Sequence, residues 1–188
     1  EEIKDTDILF IIDWSGSMDE EIAAVRSALN RFAAHFQAED KLHWGLVVGP
    51  REDDLQRERL YLISDIVSFE NFLAAFAGLN AEGMNTSEEM LRDALYFVTR
   101  DISSTANFDV GSSSWLSDTA STPDKEDFKI NWRENVDKIA IVFTDEHDQS
   151  WLNPEITPDI MTTTLAGTTR FKLYTFTPLH NPGNWADW

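Results

Sequence analysis

The chain has no cysteine, which excludes disulfide scaffolds, thiolate zinc sites and thiol catalysis. The absence leaves the compartment open, since a cysteine-free chain survives oxidising and reducing surroundings alike. Basic residues are scarce: 15 Lys and Arg stand against 34 Asp and Glu, a formal charge of -19. So acidic a surface repels phosphate backbones and anionic lipid, and nucleic acid is not expected as a partner. It attracts cations or a basic partner, or it serves solubility alone. Long apolar runs are missing too. The longest, Ile8 to Ile12, is strand-sized and far short of the roughly 20 residues that span a bilayer, so no membrane insertion is expected. Position 1 is Glu and no signal-like segment is present. The sequence therefore reads as a piece of a longer or processed precursor.

What remains is 188 residues, 42% hydrophobic and 12% aromatic. That is enough to bury the core of one domain and too apolar for a disordered tail. Ile8 to Ile12 reads as a strand buried on both faces. Ile22, Val25, Leu29, Phe32 and Phe36 recur at helical spacing behind Asp19, Glu20 and Glu21, acids that suit a helix N-terminus. Leu42 to Val48 reads as a second strand ending at Gly49-Pro50. After a polar connection, Leu60 to Ile66 reads as a third. No helix separates these two strands, so they are expected to pair antiparallel. Ser68 caps a short helix carrying Phe69, Phe72, Leu73 and Phe76, and a further helix carries Met90, Leu91, Ala94, Leu95 and Val98. Residues 101–135 form a polar insertion, too long for a plain connector and readable as a recognition loop or as a decoration. Ile139 to Phe143, a helix from Pro158, and the strand Phe171 to Phe176 complete the pattern. Strand and helix alternate, so a single α/β domain is expected over residues 1–188. Its sheet should be doubly wound and mostly parallel, with one antiparallel edge strand and helices on both faces.

In such sheets the working site lies beyond the carboxyl ends of the strands, and two strands here end at Asp13 and Asp145. The first is followed by Trp14-Ser15-Gly16-Ser17-Met18. A carboxylate and two hydroxyls at alternate positions of a tight loop are hard oxygen donors, suited to Mg²⁺, Mn²⁺ or Ca²⁺. Taken alone, the loop fits a helix cap equally well, with Ser17 or Asp19 satisfying free N–H groups.

Strand, Asp-x-Ser-x-Ser and helix in that order resemble the von Willebrand factor type A domain and its metal-ion-dependent adhesion site. Ile139 to Glu146, an apolar strand running into Thr144-Asp145, resembles that family's second signature. The resemblance covers roughly residues 5 to 177. It implies that Ser15 and Ser17 bind a cation directly, while Asp13 and Asp145 reach it through water. The family takes a further ligand from a middle loop, often a Thr, but Met84 stands at that place in Gly83-Met84-Asn85-Thr86-Ser87-Glu88-Glu89. Comparison with integrin β subunits makes Glu89 the candidate instead, with Glu88 and Thr86 in reserve. The same comparison suggests a second cation site at Glu20 and Glu21; exposed helix charges are the plain alternative. The family's elements after the last strand are not evident in Pro178 to Trp188.

The function so implied is adhesion: a Glu or Asp of a partner protein completes the coordination of the cation. Trp14, Glu146 and His147 are the expected ligand contacts. Trp115, Trp132 and Trp151 are expected in or near the same upper loops, and His43 is expected to be structural. The acidic, tryptophan-rich surface resembles bacterial secreted versions and implies a cell-surface location. The alternatives are an intracellular assembly module or a metal-dependent hydrolase. Catalysis is not expected. Ser15 stands where phosphatase-like folds need a second Asp, and no Ser-His-Asp spacing or glycine-rich phosphate loop is present.

Overall fold

The computed structural model describes residues 4–35, 41–52, 58–78, 91–100, 130–146 and 156–177. Strands β1 (Thr6–Asp13), β2 (Leu42–Glu52), β3 (Glu58–Val67), β4 (Asp137–Phe143) and β5 (Phe171–Phe176) form one sheet in the order β3-β2-β1-β4-β5. β1 lies between parallel β2 and β4, β5 continues parallel beside β4, and β3 pairs antiparallel at the edge. This is the mostly parallel sheet with one antiparallel edge strand that the sequence pattern predicts.

The continuous apolar run of β1 is explained by its two covers. Side chains alternate across a strand. Leu9 and Ile11 enter one core with residues of α3 (Leu91–Arg100) and α4 (Pro158–Ala166). Phe10 and Ile12 enter the other with residues of α1 (Asp19–His35) and α2 (Phe69–Ala77). The second core is aromatic. The Phe10 ring lies 5.3 Å from that of Phe72, 5.9 Å from Phe143 and 6.2 Å from Trp44. Each such buried side chain stabilises the fold by about 1.5–3 kcal/mol through burial alone. The first core is tight around Gly45, where a Cβ would stand 2.8 Å from Cδ1 of Leu9 and 3.3 Å from the Ser64 carbonyl oxygen.

Several local expectations are corrected. β2 does not stop at Gly49-Pro50; its ladder resumes at Arg51 opposite Arg59 and Glu52 opposite Glu58, after a register shift beyond Val48. An irregularity accommodates Pro50, which has no N–H to give the ladder. Ser68 occupies the N-cap position of α2, but its side chain makes no capping bond. Thr157 does cap α4, accepting the Ile160 N–H at 3.3 Å, with Pro158 opening the helix. α3 is buried on its polar side as well as its apolar one: Arg92, Asp93 and Thr99 are all enclosed. Arg92 donates to the Ile156 carbonyl at 3.1 Å, and Thr99 donates to the Leu95 carbonyl at 2.8 Å.

The last residues of the expected insertion pack into the fold. Ile130 is buried, and Trp132 Nε1 donates to the Val98 carbonyl at 3.0 Å, with its ring edge-on to Phe171. Phe171 starts β5 and Val98 lies near the end of α3. Trp132 therefore belongs to the amino ends of the strands, not to the upper loops. Among the described residues no helix is long and apolar enough to cross a membrane.

Candidate metal centre

β1 delivers Asp13 to the carboxyl rim of the sheet, and β4 delivers Thr144 beside it. The register explains this, since Ile12 pairs with Phe143 and each next residue leaves the ladder at the same level. Two backbone bonds extend the rim: Trp14 N–H to the Gly49 carbonyl at 3.2 Å, and Thr144 N–H to the Phe176 carbonyl at 3.1 Å. The chain then turns sharply through a 3-10 turn, Gly16–Met18, with Met18 N–H bonded to the Ser15 carbonyl at 3.1 Å. Met18 is buried and seats the loop in the aromatic core.

Asp13 has no exposed surface. Its Oδ1 accepts the Ser15 N–H at 2.8 Å, and its Oδ2 accepts the Thr144 hydroxyl at 2.7 Å. The Ser15 and Ser17 hydroxyl oxygens stand 2.9 Å apart. Ser15 is buried while Ser17 is exposed, so the hydroxyl pair runs from the interior to the surface. Asp145 follows Thr144, and its charge acts on Asp13. The Thr144 oxygen also accepts the Glu146 N–H at 2.9 Å, which closes the turn that carries Asp145.

Burial pushes the Asp13 carboxyl up from 3.8 to about 6. The bonds from Ser15 and Thr144 oppose that shift, and the Asp145 charge adds to it. A carboxylate this enclosed is costly unless positive charge meets it. Asp145 Oδ1 is buried and has no hydrogen-bond partner. An enclosed acceptor left unsatisfied costs about 1–3 kcal/mol. Two hydroxyls and two carboxylates, one of them with a buried oxygen that has no partner, form a donor set that fits a hard divalent cation. Among the described residues no group of three or more His, Cys, Asp or Glu side chains forms a metal cluster. The centre there is mixed, hydroxyl with carboxylate.

Asp13, Ser15, Ser17 and Asp145 are thus brought to one rim. Glu89, Glu88, Thr86 and His147 lie outside the described residues, as do Trp115 and Trp151. Glu20 and Glu21 are exposed on the first turn of α1, and Glu146 is half-buried beside Asp145. The contact expected of Trp14 is corrected. It is 3% exposed and packs with Phe10, Ile12 and Met18, so its indole covers the end of the sheet from within. Thr144 stands within the second signature, but the sequence assigns it no role at the site. Its place follows from the register: once β1 and β4 pair in parallel with Ile12 opposite Phe143, the next residues, Asp13 and Thr144, stand side by side.

No protein-family model matches the chain, and no curated protein matches it. Solved structures do. Proximal thread matrix protein 1 from the mussel byssus, in its second crystal form, aligns with a TM-score of 0.56 at 12% identity, over 93% of this chain and 38% of that one. The same mussel protein "with zinc occupied MIDAS motif" aligns with a TM-score of 0.51 at 15% identity, over 93% of this chain and 36% of that one. The vWF domain of the type V pili tip protein Mfa5 from Porphyromonas gingivalis gives 0.44 at 15% identity, over 78% of this chain and 39% of that one. At such identities the likeness is one of fold. The chain spans little more than a third of the mussel protein's length.

Proposed function

The chain has a von Willebrand factor A-like fold, and on that premise we propose that it is a divalent-cation-dependent protein-binding module of the adhesion type. One observation carries the reading. The two hydroxyls of Ser15 and Ser17, the buried Asp13 and the unpartnered Oδ1 of Asp145 meet at the carboxyl rim of the sheet. Ser15 and Ser17 would hold the cation through neutral oxygens, and Asp13 and Asp145 would supply the balancing charge. Glu89, with Glu88 and Thr86 as alternatives, would give the middle-loop ligand. Mg²⁺ is the proposed ion, with Mn²⁺ or Ca²⁺ as substitutes; hard oxygen donors suit all three. The zinc of the mussel protein supports a divalent cation in this fold.

When bound, the cation supplies an electrophilic position that a carboxylate can occupy. The partner is accordingly a protein offering a Glu or Asp. Glu146 and His147 would border the contact. A carboxylate would otherwise be repelled by Asp13 and Asp145, so recognition of an acidic partner depends on the ion. We place the module outside the cell or at its surface, as a binding domain without catalytic activity. A second cation at Glu20 and Glu21 belongs to the same proposal.

Calorimetric titration with Mg²⁺, Mn²⁺ and Ca²⁺ tests the centre. A strong site is expected at this centre, distinct from any binding at Glu20 and Glu21, and it is lost in Ser15→Ala/Ser17→Ala while the fold persists. Glu89→Gln, Glu88→Gln and Thr86→Ala, made singly, identify the middle-loop ligand. Unchanged titration of the double serine variant would overturn the assignment.

A further inference from the structure

Resting on the cation reading above, we infer that Thr144 is a positioning residue of the proposed centre: its one hydroxyl fixes both carboxylate-bearing loops in their mutual arrangement. The hydroxyl has a single hydrogen, and it is spent on Asp13 Oδ2 at 2.7 Å. Its oxygen accepts the Glu146 N–H at 2.9 Å. The first bond crosses from β4 to β1. The second closes a side-chain turn over Asp145, the residue between. The other oxygen of Asp13 is held by Ser15 N–H at 2.8 Å. The Asp13 carboxylate is therefore gripped at both oxygens, one from each loop, and cannot rotate without breaking a bond.

Thr144 is itself buried, so neither bond has water as a ready substitute. A metal site gains affinity when the groups behind its ligands hold them in place before the ion arrives, and loss of such a group typically costs about 10–100-fold in affinity. Valine has the shape of threonine without the hydroxyl, and it breaks both bonds. Serine keeps the hydroxyl and loses only the methyl. A threonine that served packing alone would behave in the opposite order.

The test uses Mn²⁺ alone as the probe, with Thr144→Val, Thr144→Ser and the unsubstituted chain titrated by calorimetry. Amide hydrogen exchange at Glu146 is followed in the metal-free proteins. Thr144→Val is expected to bind Mn²⁺ about 10–100-fold more weakly and to lose protection at the Glu146 amide. Thr144→Ser is expected to retain that protection and to bind within a few-fold of the parent. If Thr144→Val fails to fold, Thr144→Ala removes the same hydroxyl with less branched bulk, and the same outcomes apply. Parent-like affinity in the hydroxyl-free variant would overturn the positioning role and leave the cation reading intact. Absence of Mn²⁺ binding by the parent would overturn the cation reading, and this inference with it.

Discussion

Arg133 and Asp7 clasp the amino end of the sheet. Arg133 Nε lies 2.6 Å from Asp7 Oδ1, and the Arg133 backbone N–H lies 2.8 Å from Oδ2. The same guanidinium donates to the Thr6 carbonyl at 3.1 Å and the Lys41 carbonyl at 2.9 Å. One side chain thus ties the segment before β4 to the start of β1 and to the residue before β2. Asp7 has no exposed surface. Its charge is tolerable only because a fork of donors meets it.

Arg133→Ala is therefore expected to lower unfolding stability by about 3–5 kcal/mol, since it strands a buried carboxylate. Arg133→Lys should recover little, because an ammonium cannot span three acceptors as the planar fork does. Urea denaturation of both variants checks this. The double variant Asp7→Asn/Arg133→Met should be more stable than Arg133→Ala, as it removes both charges together.

The insertion should not bear on the cation. Its flanks, the end of α3 and Ile130–Arg133, lie by Trp132, Phe171 and Asp7. Asp7 and Asp13 are six residues apart on one strand, about 20 Å. Replacing residues 101–129 with a short Gly-Ser linker should leave Mn²⁺ affinity within about twofold of the parent, less than 0.5 kcal/mol. A tenfold loss would mean that this stretch reaches the rim.

The raised Asp13 pKa predicts how the metal-free protein responds to pH. Its folded value of about 6 exceeds the 3.8 of the free group. The folded state therefore binds the proton more tightly, and this group's contribution is most favourable below pH 3.8. That contribution is lost as pH rises through 6, a penalty of about 3 kcal/mol at neutral pH. Asp13→Asn should accordingly be more stable than the parent at pH 7 without metal, the gap closing toward pH 4. Mn²⁺ affinity of the parent should fall below pH 6, where proton and cation compete. Parallel denaturation curves with no pH-dependent gap would contradict the burial argument.

Trp14 offers a test of core against contact. Because its indole lies among Phe10, Ile12 and Met18, Trp14→Phe should destabilise the fold by about 1–3 kcal/mol through lost packing. Cation affinity of the folded variant should stay within about threefold, 0.7 kcal/mol or less. A large loss of affinity with unaltered thermal stability would instead restore the contact role.

Periodicity made the sheet legible. The run from Ile8 to Ile12 has no polar position to turn outward, so it must be covered twice, and helices at 3.6-residue spacing supply the covers. The missing helix between Val48 and Leu60 made the antiparallel edge legible in the same way. Burial of polar residues was not legible. Asp7, Arg92, Asp93 and Thr99 are polar positions that periodicity does not assign to a core, and all are enclosed. Asp7 depends on Arg133, 126 positions away, Arg92 on the Ile156 carbonyl, and Thr99 on its own helix backbone.

The amino-acid order alone determined the alternation of apolar strands and amphipathic helices, and with it the placing of Asp13 at the end of one strand and Asp145 just past the end of another, because both follow from local spacing. Tertiary structure decided what those residues meet. Only the pairing of β1 with β4 sets the Thr144 hydroxyl on Asp13. Only the closing of the core turns Trp14 inward and leaves Asp145 Oδ1 enclosed without a partner. Such relations depend on distance in space and on exclusion of water, and neither is written in the spacing of residues along a chain.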